Sequence, residues 1–121
     1  MTKSELQQIG NDLIAKYRLN STLCLYNKDT NNNYGYYEPL TDTIHAVETS
    51  DILDFQKTVL HEIKHALDAK RLGASKFNSK YNQAGTIANA IGKDIYYDNK
   101  WEKKADAFSK KEINKIVDRY V

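Results

Sequence analysis

The amino-acid sequence predicts an α+β fold in a single domain. Apolar residues recur at helical spacing near both ends and in the middle of the chain, and three short segments rich in strand-forming residues lie between the first two helical patterns. A length of 121 residues suits one hydrophobic core. Hydrophobic residues make up 40% of the chain and charged residues 28%, which is typical of a folded globular protein. We therefore expect one domain over residues 1–121.

An amphipathic helix is the first predicted element, over 3–19. Its apolar residues recur every three or four positions, which places their side chains on one face. They are Leu6, Ile9, Leu13, Ile14 and Tyr17. This face is expected to contribute to the core.

Three short strands are predicted next, at 21–26, 34–38 and 43–48, from their content of Thr, Tyr and other strand-forming residues. Asn and Asp are frequent in 27–33, and they favour turns because their side chains bond the nearby backbone. The first two strands are therefore expected to form a hairpin. The one cysteine, Cys24, lies between two leucines and is expected to be buried.

The second helix is predicted over 52–72. Ser50 or Asp51 can cap its first turn, and Gly73 can end it in a left-handed conformation. The next residues, 74–80, are polar and are expected to form a loop.

Two further helices are predicted in the C-terminal part of the chain. A weaker pattern covers 81–91, and the last helix is expected to begin near Asp98 or Asn99, either of which can cap it. The apolar side of the last helix carries Trp101, Ala105, Phe108, Ile113, Ile116 and Val117.

The second predicted helix contains a motif with metal-binding chemistry, His61-Glu62-Ile63-Lys64-His65. Positions four apart point in similar directions on a helix, so the two histidines can present ring nitrogens to one zinc ion at about 2.0–2.1 Å. Glu62 lies about 100° around the helix from His61, where it suits a general base rather than a ligand. The alternative is that both histidines are surface residues with an incidental glutamate between them.

A third zinc ligand is expected on the last helix. Catalytic zinc commonly takes three protein ligands and leaves the fourth position open. Glu102 and Asp106 both fall on the apolar side of that helix, and a buried carboxylate requires compensation by a cation or strong hydrogen bonds. We therefore predict that Glu102 is the third ligand. Asp106 is predicted to accept the outer ring N–H of a ligand histidine, and the alternative is that it caps a helix or pairs with a lysine.

These two segments, 61–67 and 101–108, together resemble the zincin metallopeptidases that use glutamate as the third ligand, and among them the ImmA/IrrE-type metallopeptidases of bacteria and phages. The resemblance covers about the C-terminal two-thirds of the chain. It implies a zincin-like minimal domain in which a short antiparallel three-stranded sheet precedes the HExxH helix and a C-terminal helix carries Glu102. It also implies a cytoplasmic protein of a bacterium or mobile element, and a protein substrate, because some members cleave repressor-type regulators.

The expected reaction is hydrolysis of a peptide bond, in which zinc activates a water and polarises the carbonyl while Glu62 is the general base. The tetrahedral oxyanion requires a further hydrogen-bond donor. The candidates are His45, Tyr96, Tyr97 and Tyr120. His45 lies in the third predicted strand, which would pair with an extended substrate if it formed a sheet edge. The alternative is a solvent-facing strand histidine.

Charge and hydropathy restrict the partners. The chain has 18 Lys and Arg residues against 16 Asp and Glu residues, and this balance gives no reason to predict nucleic-acid binding. Neither a signal-peptide pattern nor an apolar run of membrane-spanning length is found in the sequence. We therefore expect a cytoplasmic protein without a membrane partner.

Two alternatives to a peptidase remain open. The first is a catalytically idle module that retains zinc and binds a peptide or protein. Glu62 argues against it, because a structural zinc site has no use for a base beside the metal. The second is a metal-dependent hydrolase that acts on a non-peptide substrate.

Overall fold

A computed structural model describes residues 2–27 and 34–118 of the chain. Within these residues it contains four helices and a three-stranded mixed sheet, which confirms the predicted α+β class. The elements are α1 (Lys3–Lys16), β1 (Thr22–Tyr26), β2 (Gly35–Glu38), β3 (Thr43–Val47), α2 (Ile52–Leu72), α3 (Ala74–Ala90) and α4 (Lys100–Asp118). No helix in the described residues is both long enough and apolar enough to cross a membrane.

The sheet has the strand order β1-β3-β2, so β3 lies at its centre. β1 pairs with β3 in parallel, and β2 pairs with β3 antiparallel. The expected hairpin of the first two strands and the fully antiparallel sheet are therefore wrong. Burial explains the order, because four of the five residues of β3 are buried whereas none in β2 is. The strand that is buried on both faces takes the centre, and turn-forming residues between two strands do not reveal which strand inserts between them.

The main core lies between one face of the sheet and α2. Ile44 and Ala46 of β3 are fully buried there, as are Phe55, Val59 and Ile63 of α2. Burial of each of these three larger α2 side chains contributes about 1.5–3 kcal/mol. α2 also packs against α1, α3 and α4, so it is the central helix of the domain.

The sheet also explains why Cys24 is exposed, contrary to the sequence prediction. Burial alternates along β1, where Leu23 and Leu25 point into the core and Cys24 points away from it. A side chain between two buried leucines of a strand therefore faces the opposite side of the sheet.

The helix boundaries of α2 agree with the prediction, whereas the loop expected at 74–80 is wrong. Asp51 caps α2 by accepting hydrogen bonds from two backbone N–H groups of the first turn. At the other end, Gly73 has a φ of 94° and α3 begins at the next residue. Within this polar stretch Phe77 is buried, and its packing stabilises the first turns of α3.

Candidate metal centre

Two packed helices bring three potential ligands together. His61 and His65 lie one turn apart on α2, and Glu102 lies in the first turn of α4. Glu102 Oε1 is 2.8 Å from His61 Nε2 and 2.6 Å from His65 Nε2. The three donor atoms lie within 4.8 Å of one another, so these residues are close enough to hold a metal ion.

The start of α4 determines where Glu102 points. Asn99 caps this helix, since its Oδ1 accepts a hydrogen bond from Trp101 N at 2.9 Å. Trp101 packs against Phe77, with ring centroids 5.6 Å apart, and Ala105 is fully buried. Glu102 therefore projects towards α2 and retains only 4% of its exposure.

Asp106 contacts the outer nitrogen of His61, as the sequence predicts. Asp106 Oδ1 lies 2.9 Å from His61 Nδ1, but its side chain is 60% exposed and not buried as its place on the apolar side had suggested. A carboxylate in this position favours the proton on Nδ1. The other ring nitrogen, Nε2, faces Glu102 Oε1, so a carboxylate lies beside each nitrogen of the His61 ring.

The charges at the site also suit a cation. Burial raises the pKa of Glu102, but its hydrogen bonds to His61 and His65 outweigh burial and lower the pKa to about 2. Burial lowers the pKa of His61, but its hydrogen bond to Glu102 and the nearby carboxylates outweigh burial and raise the pKa to about 9. The carboxylate at position 102 is therefore ionised at neutral pH and favours a positive charge beside it.

Glu62 is a buried carboxyl group with a raised pKa. Its side chain is buried, and burial is the main cause that raises its pKa, to about 7, against the opposing effect of the two histidines. A carboxyl group with a pKa close to the surrounding pH can accept and release a proton efficiently. Glu62 also lies in the walls of two cavities that adjoin His61, His65 and Glu102, so a molecule in either cavity can reach it.

The two cavities adjoin the three potential ligands. One of about 250 Å³ includes His65 and Glu102 in its wall, and one of about 800 Å³ includes His61. Both are also lined by Gly35, Tyr36, Glu62 and Tyr96. The shared residues show that the two cavities are neighbours, with Glu62 in the wall of both.

Of the predicted oxyanion donors, the tyrosine that fits the cleft best is Tyr96. It lines both cavities, and burial, followed by the charges of Glu102, Glu62 and Asp106, raises the pKa of its phenol. Tyr97 lines the larger cavity and is 74% exposed. Tyr120 lies outside the described residues.

His45 does not lie at a sheet edge, because β3 is paired on both sides. It is 6% exposed and not solvent-facing, and its ring stacks between Tyr26 and Tyr36. Its ring nitrogens contact the Tyr26 hydroxyl and Glu38. In the described part of the chain, neither cavity beside the ligands includes His45 in its wall.

Tyr81 was not found from the sequence. Its hydroxyl donates a hydrogen bond of 2.5 Å to Glu102 Oε2, the oxygen that does not face the histidines. Phe77 and Tyr81 are four residues apart and pack together in α3. Recognition of this aromatic pair would have extended the predicted helix back across 74–80.

Comparisons of the chain with protein-family models, curated protein sequences and solved structures found no match. The function is therefore inferred from the geometry and chemistry of the site.

Proposed function

We propose that the protein is a zinc-dependent endopeptidase that hydrolyses a peptide bond in a protein substrate. The observation that supports this function is the convergence of His61, His65 and Glu102 on one point, with Glu62 buried beside them. Two histidines and one glutamate form a common ligand set of catalytic zinc in hydrolases. The resemblance of both ligand-bearing segments to the ImmA/IrrE-type metallopeptidases supports a repressor-type regulator as the substrate.

In this proposal, each polar residue of the cleft has a separate role. His61, His65 and Glu102 would hold the metal, and bound zinc supplies a Lewis acid that activates water and polarises a carbonyl. Glu62 accepts the proton of the attacking water and transfers it to the leaving amine. Tyr96 donates a hydrogen bond to the oxyanion that develops on the scissile carbonyl.

The edge strand of the sheet supports an extended peptide as the substrate. Tyr34 O accepts a hydrogen bond from Val47 N, and hydrogen-bonded pairs alternate along an antiparallel ladder. Gly35 and Tyr37 therefore direct their backbone N–H and C=O groups away from β3. Within residues 2–27 and 34–118, no strand pairs with this side of β2, which also lines the smaller cavity, and an extended peptide could pair with these groups. Two neighbouring cavities beside Glu62 could hold substrate residues on both sides of a cleaved bond, which supports cleavage within a chain.

Glu62→Gln tests the proposed reaction. The amide retains the size of the side chain but cannot accept the proton, so we expect turnover to be lost while zinc content stays at the wild-type value. The matched control is Glu112→Gln, which changes a buried glutamate of α4 at 8% exposure and is expected to retain activity. Turnover is measured on a degenerate mixture of fluorescence-quenched peptides, and zinc by atomic absorption.

Two results would contradict the proposal. Equal turnover by the wild type and Glu62→Gln would show that Glu62 is not the general base. A zinc-loaded wild type that binds the peptides without cleaving any of them would favour the idle binding module instead.

A further inference from the structure

The two oxygens of Glu102 have different partners. Oε1 faces the Nε2 atoms of His61 and His65, whereas Oε2 accepts the hydrogen bond of 2.5 Å from the Tyr81 hydroxyl. An ionised carboxylate can offer both oxygens to one cation, or one oxygen to the cation and the other to a donor. In this protein the second oxygen, Oε2, accepts its hydrogen bond from Tyr81.

Tyr81 is itself held in place relative to Glu102. The side chain of Asn99 is fully buried, and its Nδ2 donates to the Tyr81 carbonyl at 3.1 Å while its Oδ1 caps α4. Asn99 therefore joins α3 at Tyr81 to α4 three residues before Glu102. The Tyr81 ring also packs against His65 and Phe77, with centroids 5.8 Å and 6.1 Å away. The phenol is fixed by both its backbone and its ring.

We infer that Tyr81 is a positioning residue. Its hydrogen bond keeps Glu102 Oε2 from binding a metal ion, so that Glu102 coordinates the ion through one oxygen and leaves a coordination position open. This inference rests on the proposed function, because an open position matters only where a reaction occurs. It assigns to α3 a role in the metal centre, although α3 supplies no ligand. A purely structural Tyr81 would instead add packing and a buried hydrogen bond without affecting how Glu102 binds.

Tyr81→Phe removes the hydroxyl and retains the ring, so it tests the inference with little change in packing. The probes are Zn²⁺, measured by competition with a chelator, and Co²⁺, whose visible absorption weakens as its coordination number rises above four. We expect Tyr81→Phe to bind Zn²⁺ about tenfold more weakly, since loss of a group that orients a ligand typically weakens metal binding by this amount or more. We also expect a weaker cobalt spectrum, because Oε2 becomes free to join the ion.

The matched control is Tyr17→Phe. The Tyr17 hydroxyl donates a hydrogen bond of 2.9 Å to Glu112 Oε1, which is also a carboxylate of α4 but lies ten residues beyond Glu102. This variant removes the same kind of hydrogen bond from the same helix. We expect its zinc affinity and cobalt spectrum to match those of the wild type.

The cobalt spectrum decides between positioning and packing. A Tyr81→Phe protein with the wild-type spectrum would overturn the inference even if its free energy of unfolding falls, because lost packing alone leaves the ligands unchanged. A wild type that binds neither ion would overturn the proposed metal centre and this inference with it. A wild type that binds both ions but cleaves no peptide would count against the peptidase alone, and the spectrum of Tyr81→Phe would still decide the role of Tyr81.

Discussion

Glu102 Oε1 lies 2.6 Å from His65 Nε2, although 37 residues separate the two in the chain. Both side chains are almost fully buried, at 5% and 4% exposure, where α4 packs against α2. Burial of ionisable groups costs several kcal/mol unless strong partners compensate. A metal ion at this point would compensate the carboxylate and join the two helices, so metal binding and folding should be coupled.

Zinc is expected to stabilise the wild-type protein against unfolding. A ligand that binds only the folded state adds about 2.7 kcal/mol when its free concentration is 100 times the Kd. Glu102→Ala removes one of the three donors, so we expect it to lose bound zinc during dialysis and to lose the increase in unfolding midpoint on zinc addition. Urea denaturation with and without zinc measures the second effect, and atomic absorption measures the first.

The control for Glu102→Ala is Glu112→Ala, which removes a second buried glutamate from the same helix without touching the three donors. It should bind zinc with wild-type stoichiometry. Unchanged zinc content in Glu102→Ala would show that Glu102 is not a ligand.

Tyr96→Phe is expected to reduce kcat while zinc content remains unchanged. Removal of one donor to an oxyanion typically lowers kcat by about 10²–10³. Tyr97→Phe provides the comparison, because Tyr97 is 74% exposed and lines only one of the two cavities beside the potential metal ligands. Steady-state kinetics of both variants should show the larger loss at Tyr96. A larger loss at Tyr97 would assign the donor to the neighbouring residue.

The two helices that carry the potential metal ligands could be predicted because their signals are local in the sequence. The histidine spacing at 61 and 65 is a property of one helix, and the acid at 102 stands out because it interrupts an apolar face. The contact between Asp106 and His61 follows from the same two helices. Helical geometry and the cost of burying charge account for Glu102, whereas Asp106 is largely exposed and only helical geometry accounts for its contact.

Features that depend on packing between distant segments could not be predicted in this way. The central position of β3 results from burial of both its faces, which no residue pattern between the strands reports. The stacking of His45 between Tyr26 and Tyr36 follows from the strand order. The role of Tyr81 was not predicted, because the polar residues 74–80 were interpreted as a loop although they form the start of α3.

Substitution of two glycines by alanine is expected to change stability in opposite directions. A Cβ at Gly35 would lie 2.5 Å from the backbone oxygen of His45, and overpacking of this kind costs about 1–3 kcal/mol. A Cβ at Gly85, inside α3, would lie 3.4 Å from Ile95 O, and alanine is favoured over glycine in helices by about 1 kcal/mol. Urea denaturation should show Gly35→Ala destabilised and Gly85→Ala stabilised. Equal effects of the two substitutions on the free energy of unfolding would contradict the close approach of the Gly35 backbone to His45 O.

The ionised form of Glu112 is expected to stabilise the fold in a pH-dependent way. Its hydrogen bond to Lys115 is the main cause that lowers its pKa; burial opposes this effect, and the Tyr17 hydroxyl adds to it. Because folding lowers this pKa, the stabilisation is present above the usual glutamate pKa of about 4.3 and is lost as the pH falls through the lower value of the folded state. Lys115 is 59% exposed, so the effect should not exceed about 1 kcal/mol.

Glu112→Gln isolates this contribution, because all other titrating groups are common to it and the wild type. We expect the difference in free energy of unfolding between the two metal-free proteins to be largest near about pH 6 and to shrink as the pH is lowered from about 5 to 3. Urea denaturation across this range measures the difference. A difference that stays constant with pH would mean that the carboxylate at position 112 gains nothing from its charge in the folded protein, and that its contacts with Tyr17 and Lys115 act as neutral hydrogen bonds.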